Sequence, residues 1–462
     1  LDNAQKLDER ISRRKLIRAG GITGLSTVAA LALAGVRAPT VRGLVNHGNP
    51  DFLELTPYSG IPTRKSGSDM LVFSNANDNN EPYLEDTSGN LWPMRTRQQA
   101  TYIVEAILTT PPSTYTFYAR PAPNSGLTAY AGGSAAAAIQ TAITGALGAG
   151  GGKVIIRNPP VGLSGVYSLS TDLSIPTSGS GELNLAIEGE TIEGVVLQQT
   201  ASSKNVFTIG AGAKRLTLRN LRLKQTQSST GDCINITQSS SINNCYGLDF
   251  ENMYLDGHDA NHYGMTINNL FYSHMKNVKI GLHSTSGGGI HFITNNASNL
   301  YLGNSCFDDI NIQLGYSNTY GIFFDNAVGS GHQCINLLTF NFLGILQSAS
   351  GGLTGNIGLY WPDLSGADNN RMMTFINSDF ENVNTLISDS GGPSASTSNG
   401  NTFTGGFMNN GNIFVKYAIP SFHGVRFAGT MTLNVNSLAA GYYGCAFGGG
   451  VTKTNDSSAH YY

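Results

Sequence analysis

Between residues 219 and 361 the chain repeats itself, and the repeated unit has the period of a strand rather than a helix. One half of the unit reads Asn-apolar-x-apolar: Asn220-Leu221-Arg222-Leu223, Asn252-Met253-Tyr254-Leu255 and Asn277-Val278-Lys279-Ile280, then Asp309-Ile310-Asn311-Ile312 with Asp in the Asn position. The other half reads small-apolar-x-apolar: Cys233-Ile234-Asn235-Ile236, Gly264-Met265-Thr266-Ile267, Gly289-Ile290-His291-Phe292 and Gly321-Ile322-Phe323-Phe324. The step from each Asn-type position to the following small residue is 13, 12, 12 and 12 residues, and successive units begin 32, 25 and 32 residues apart. Alternate side chains of a strand point to opposite faces, so each apolar-x-apolar run buries one side. Two such strands per unit, at a fixed internal offset, describe a solenoid whose coils stack on one another. Function then belongs to the outward positions of a long ridge.

Composition agrees with that reading and narrows the partners. Only 12% of residues are charged and the net charge is −3, which lacks the clustered basic surface that nucleic-acid binding requires. The 57 glycines, with many Asn, suit dense turns, and 40% apolar residues at period two can bury a core. The five cysteines (Cys233, Cys245, Cys306, Cys334, Cys445) are odd in number and contain no Cys-x-x-Cys. They read as free thiols behaving as small hydrophobes, with no metal site expected among them.

The first forty residues have a different texture. Ser12-Arg13-Arg14-Lys15-Leu16-Ile17-Arg18 leads into a mildly apolar run from Ala19 to Gly35 and then Val36-Arg37-Ala38. A basic pair, a short apolar stretch and a small-residue site make an export signal. It resembles a twin-arginine signal, with Leu16-Ile17 for the usual Phe-Leu and Arg18 for Lys, which implies export of residues 39 onward to the extracellular space or cell surface. The other reading is a basic amphipathic segment kept as an anchor. Residues 39–65, with Pro39, Pro50, Pro57 and Pro62, read as a linker. Residues 66–130 read as a small β-rich unit, with a hairpin around Thr87-Ser88-Gly89-Asn90.

From residue 131 a single domain is expected to run to 462. Ser134 is a helix N-cap for Ala135–Leu147 and Gly148 a stop, so one short amphipathic helix (134–147) covers the open end of the solenoid. The succession Ala138-Ile139-Gln140-x-Ala142-Ile143, Gly151-Gly152-Lys153-Val154 and Gly165-Val166-Tyr167 resembles the entry segment of pectate-lyase-like right-handed parallel β-helix proteins. That group includes pectate lyases, polygalacturonases and phage tailspike depolymerases. The resemblance covers roughly residues 131–450 and implies an all-β fold: a right-handed, single-stranded parallel β-helix. The Asp residues that often precede the Ala-Ile-Gln helix are replaced here by Ala131-Gly132-Gly133. At about 28 residues per coil and about 4.8 Å per strand spacing, ten or eleven coils give a body about 50 Å long.

The same resemblance supplies candidate site residues. Gly231-Asp232-Cys233-Ile234-Asn235-Ile236 resembles the Gly-Asp-Asp-Cys-Ile-x-Ile motif of polygalacturonases with one Asp lost. One coil later, His262-Tyr263-Gly264-Met265-Thr266-Ile267 resembles the His-Gly-Ile-Ser-Ile motif with Tyr263 inserted. His291 and Ile293 stand where that family has Arg and Lys, and Asn205 where it has a further Asp. The resemblance thus implies a polysaccharide hydrolase or lyase with Asp232 as acid or base and His262 sharing its proton. Independently, Asp256-Gly257-His258-Asp259 is the densest titratable run of the repeat, and His258 and His283 share one offset in adjacent coils. Asp256, His258, Asp259 and His291 therefore join the catalytic candidates. Tyr263, Tyr320, Phe323 and Lys279, on outward positions, are candidate sugar-binding groups. No resident cofactor is expected, Ca2+ entering only for a lyase. The partner is a polysaccharide or cell-surface glycan, and the chain a monomer or homotrimer. The alternative is a non-catalytic glycan-binding or virion-fibre protein.

Overall fold

The computed structural model describes most of residues 100–461. The exceptions are 111–113, 123–124, 177–181, 192–193, 227–230, 238–244, 258–261, 269, 283–286, 295–300, 327–333, 336, 348–352, 363–371, 390–400, 416–419, 436–440 and 455–459. Before residue 100 it describes only a few strands. The chain divides into two units, Leu1–Gln98 and Gln99–Tyr462. In the first, Leu44–Val45 pairs antiparallel with Glu54–Leu55, and Leu71–Asn75, Glu81–Glu85 and Leu91–Pro93 form an antiparallel meander. The meander includes the expected hairpin. Residues 1–38, the expected signal, lie outside the described residues.

The second unit is a parallel β-helix, and its strand register proves it. Val278 pairs with Ile310, and Ile290 with Ile322, so equivalent positions of successive units stack one above another as the repeat requires. Three columns of strands result. The long strands Lys214–Gln225, Tyr246–Gly257, His274–Leu282 and Ser305–Leu314 each serve two columns, bending at one residue. The halves before the bend make the first sheet and those after it the second. The third sheet runs in register from Leu173–Ile175 through Ile234–Ile236, Tyr263–Ile267, Gly288–Thr294 and Tyr320–Asn326 to Thr385–Asp389 and beyond.

The bend explains the Asn of the repeat. Asn220, Asn252, Asn277 and Asp309 all have φ between 50° and 56°. Among residues with a side chain, Asn and Asp tolerate that left-handed conformation best. The Asn252 amide donates to Asn220 Oδ1 (3.2 Å) and the Asn277 amide to Asn252 Oδ1 (2.8 Å), forming a ladder along the corner. Asp309 has no amide to continue the ladder, and its carboxylate accepts from Asn311 Nδ2 instead. After it the corner is remade with positive φ at Phe342, Asn377, Gly405 and Gly424, and a second ladder, Asn410 Nδ2 to Asn382 Oδ1 (2.9 Å), appears at the next corner.

Inside, stacking places like on like. Phe307, Phe340, Phe375, Phe403, Phe422 and Tyr442 form one buried ring column with centroids 4.7–5.2 Å apart, and Phe292, Phe324 and Trp361 another. Cys233 and Cys245 are buried free thiols, whereas Cys306 and Cys445 are only half-buried. The helix Ala135–Gly148 is N-capped by Ser134, which accepts from the Ala137 N–H, and buries Ile139, Ala142, Ile143 and Ala146. Gln140 bonds both backbone groups of Ser174 (2.8 and 3.0 Å), satisfying the edge of the third sheet's opening strand.

One boundary differs from the sequence reading. Ala100–Thr110 pairs parallel with Gly152–Ile156 and hairpins back through Thr114–Pro121, so it extends the first sheet of the β-helix. The body therefore starts at Gln99 rather than at residue 131. An antiparallel hairpin looks local in sequence, and its partner strand lies beyond the intervening helix.

Candidate functional site

Asp232 and His262 do come together. Asp232 immediately precedes the strand Ile234–Ile236 and His262 the strand one coil on, which leaves His262 Nδ1 3.4 Å from Asp232 Oδ1. The carboxylate is 7% exposed, and the same oxygen accepts the Tyr263 N–H at 2.8 Å. The Asp232 N–H in turn donates to Asn205 Oδ1 at 2.9 Å. Asn205 and Asp232 thus repeat one structural act, each side chain holding the backbone of the next coil. This explains why Asn suffices where the resembling family has Asp.

Asp256 is 3% exposed and sits at 2.9 Å from Arg222 Nη2, whose guanidinium also covers the Tyr254 ring at 4.6 Å. Its carboxylate is the counterion of a neighbouring coil. His258, Asp259 and His283 lie outside the described residues.

The aromatic candidates form one column on the third sheet. Register sets Thr266, His291, Phe323 and Tyr360 in one row, and Tyr263 and Tyr320 in the row beside it, two coils apart. The His291 ring lies between Tyr263 (centroids 4.5 Å) and Phe323 (4.7 Å), and Tyr320 stacks on Tyr360 at 5.2 Å. His291 Nε2 is 3.3 Å from Asp325 Oδ2. Burial holds the Tyr263 phenol far above its usual range, with Tyr320, Asp232 and Asp325 adding to the shift; Tyr360 is raised by burial, Tyr320 and Asp325. The rings expected to meet a sugar also meet one another: Phe323 stacks on His291, Tyr320 stacks on Tyr360, and Tyr263 is tilted against His291. Side chains at one register position are drawn into mutual contact by the strand spacing of about 4.8 Å.

A groove lies elsewhere, on the second sheet. A cavity of about 450 Å³ is lined by Tyr254, Lys279, Asn311, Gln313, Gln347 and Glu381, among others. Lys279, one of the expected binding residues, is in it. Tyr254, Lys279, Asn311, Gly344 and Asp379 form one row of the register, and Gly281, Gln313, Leu346 and Glu381 the row two residues on. Gly344 leaves room for the neighbouring Asn311 side chain, since a Cβ there would stand 2.6 Å from Asn311 Oδ1.

Glu381 lines one end of the groove, and Asp379, two residues earlier across buried Phe380, shares its face. Their Cα atoms are about 6.8 Å apart by strand rise. Asp379 Oδ1 is buried and accepts no hydrogen bond among the described residues, and burial, reinforced by Glu381, raises its pKa. A carboxyl whose pKa is raised beside a second carboxylate is an arrangement that acid–base chemistry uses. Sequence reading took only the apolar residues of Thr374–Phe380; the signal available was Asp379-x-Glu381, two acids at strand period flanking one core residue.

No protein-family model and no curated protein matches the chain. Among solved structures it is similar to ORF18 of Geobacillus virus E2, at 13% identity and TM-score 0.44 over 85% of this chain and 69% of that one. It is also similar to the pectate lyase Pel9A, at 10% identity and TM-score 0.43 over 62% of this chain and 69% of that one. A third is the tailspike protein of Acinetobacter baumannii phage AM24, at 15% identity and TM-score 0.36 over 84% and 61%. Pectate lyases and tailspikes are the proteins that the segment 138–167 resembles in sequence, while the parallel β-helix itself stands on the strand register.

Proposed function

We propose that the chain is a carbohydrate-active β-helix protein, wound right-handed as parallel crossovers almost always are, that hydrolyses an extended glycan lying in the second-sheet groove. Asp379 is the general acid and Glu381 the base. The observation that carries this is Asp379, whose buried Oδ1 accepts no hydrogen bond among the described residues, on the same strand face as Glu381, which lines the cavity. In an inverting hydrolase the two carboxyl groups stand about 6.5–9.5 Å apart, which leaves room for a water between sugar and base. Lys279 and Tyr254 contact the glycan, the ammonium favouring an acidic one. Asp232 and His262 bind coil to coil, and residues 1–38 carry the chain out of the cell.

The test is a panel of polysaccharides read for new reducing ends and for unsaturated-uronate absorbance. Asp379→Asn and Glu381→Gln should each lower turnover by about 10²–10⁴, the usual scale for losing a general acid or base, while Asp232→Asn stays within a few-fold. Unsaturated products would replace hydrolysis with elimination. Binding of a glycan without any cleavage would favour the display protein. Loss of turnover in Asp232→Asn but not in Asp379→Asn would return the site to the Asp232–His262 pair.

A further inference from the structure

The outward face of the first sheet carries a cluster that the groove does not use. Register pairs Asp249 with His274 and His274 with Cys306 on three successive coils, and Asp308 lies two residues beyond Cys306 on the same strand and the same face. The side chains converge. His274 Nε2 is 2.7 Å from Asp308 Oδ2, Cys306 Sγ is 3.5 Å from Asp308 Oδ1, and one ligand atom from each of the three lies within 4.8 Å of the others. Asn341 Nδ2 closes the cluster from the next coil, 2.6 Å from Asp308 Oδ1 and 3.7 Å from Cys306 Sγ.

We propose that His274, Cys306 and Asp308 form a three-ligand site for a divalent cation of the zinc class. Around zinc, with bonds of about 2.0–2.3 Å, tetrahedral ligand atoms stand roughly 3.3–3.6 Å apart, so the cluster needs adjustments below about an ångström. The donor set selects the metal. A thiolate and an imidazole favour zinc over Ca2+ or Mg2+, which take all-oxygen sites. Nε2 now meets Asp308 and is released to a metal when the ring proton sits on Nδ1, which Asp249 Oδ1, 3.9 Å away, can accept after a small shift. Charge agrees, since Asp249, Glu251 and Asp308 surround a single ammonium, Lys276, which stands in register between Glu251 and Asp308. The fourth position faces solvent or the amide of Asn341. Bound metal would tie neighbouring coils together, as His274 and Cys306 belong to different ones.

The experiment uses untagged, metal-stripped full-length protein titrated with Co2+ and with Zn2+. A near-ultraviolet thiolate-to-cobalt band, about one zinc per chain and a zinc-dependent rise in melting temperature are expected. Cys306→Ser should abolish the band and His274→Ala should weaken zinc binding at least tenfold. Asp249→Asn, which leaves every ligand in place, should weaken it by about tenfold through the imidazole. Should Cys306→Ser fail to fold, the exposed His274→Ala and Asp249→Asn still decide. Absence of the cobalt band, equal zinc binding by the variants, or a preference for Ca2+ would each overturn the site and leave a hydrogen-bonded network only.

Discussion

Replacing Asn252 with Ala tests the claim that the Asn of the repeat is a corner device. Two side-chain hydrogen bonds are lost, one donated to Asn220 at 3.2 Å and one accepted from Asn277 at 2.8 Å. At about 0.5–1.5 kcal/mol each they account for about 1–3 kcal/mol. The backbone adds a second cost, because φ is 54° and alanine pays about 1 kcal/mol more than asparagine there. The expected loss for Asn252→Ala is therefore about 2–4 kcal/mol. Asn252→Gly removes the same bonds but accepts the conformation, so it should lie about 1 kcal/mol above the alanine variant. Urea unfolding followed by far-ultraviolet circular dichroism gives both differences, and hydrogen exchange of the strands 246–257 and 274–282 localises them, since a solenoid need not melt as one unit. If Asn252→Ala lies within about 0.5 kcal/mol of wild type, or if glycine is worse than alanine, the corner reasoning is wrong.

Ile280→Asp puts an unpaired carboxylate at a position 1% exposed, which should cost several kcal/mol and abolish the cooperative melt. Asp379 has a folded pKa above its unfolded one, so the stability it contributes is present at low pH and is lost as pH rises through the folded value. Asp379→Asn should accordingly match or exceed wild-type stability near pH 7 and lose that advantage below about pH 4, where the unfolded carboxyl also protonates; thermal melts across pH 3–8 measure this, and an advantage that grows on acidification refutes it. Phe342 holds φ 54° while 60% exposed, so Phe342→Asn should stabilise the chain by roughly 1 kcal/mol in the same assay. Changing Arg13 and Arg14 to Lys should retain the product in the cytosol; unimpaired secretion of that variant removes the twin-arginine reading.

The fold was legible because a β-helix writes its period into the chain. Asn220, Asn252 and Asn277 mark corners, the small-apolar-x-apolar runs mark the third sheet, and both follow from local rules of φ and alternation. Asp232 and His262 were singled out by resemblance and placed together by counting one coil on, and they stand 3.4 Å apart. What counting could not show is how a side chain spends its polar atoms. Asp232 is engaged by the Tyr263 N–H, Asp256 by Arg222, and the ring faces of Tyr263, His291 and Phe323 by one another. Conversely, Asp379 and Glu381 sit in coils whose repeat is blurred, and the cluster of His274, Cys306 and Asp308 combines positions 34 residues apart. Only register makes them neighbours.

The position of the groove follows from how the coils change along the stack. Up to Asp309 the corner between the first two sheets is a single residue, and a long connection leaves the second sheet for the third, as from Leu314 to Tyr320 and from Gln347 to Ile357. From Asn382 the second corner is itself tight, carried by Asn382 and Asn410 in the left-handed region. The groove ends where one regime gives way to the other, and Asn382 lines it. Glu381 at that transition lines the cavity, whereas Asp232 and Asp256 in the regular coils are drawn into coil-to-coil bonds. Asp379 and Glu381, the acids of the proposed function, thus lie where the sequence repeat weakens after residue 361, in keeping with the general rule that function gathers where a rigid scaffold is interrupted.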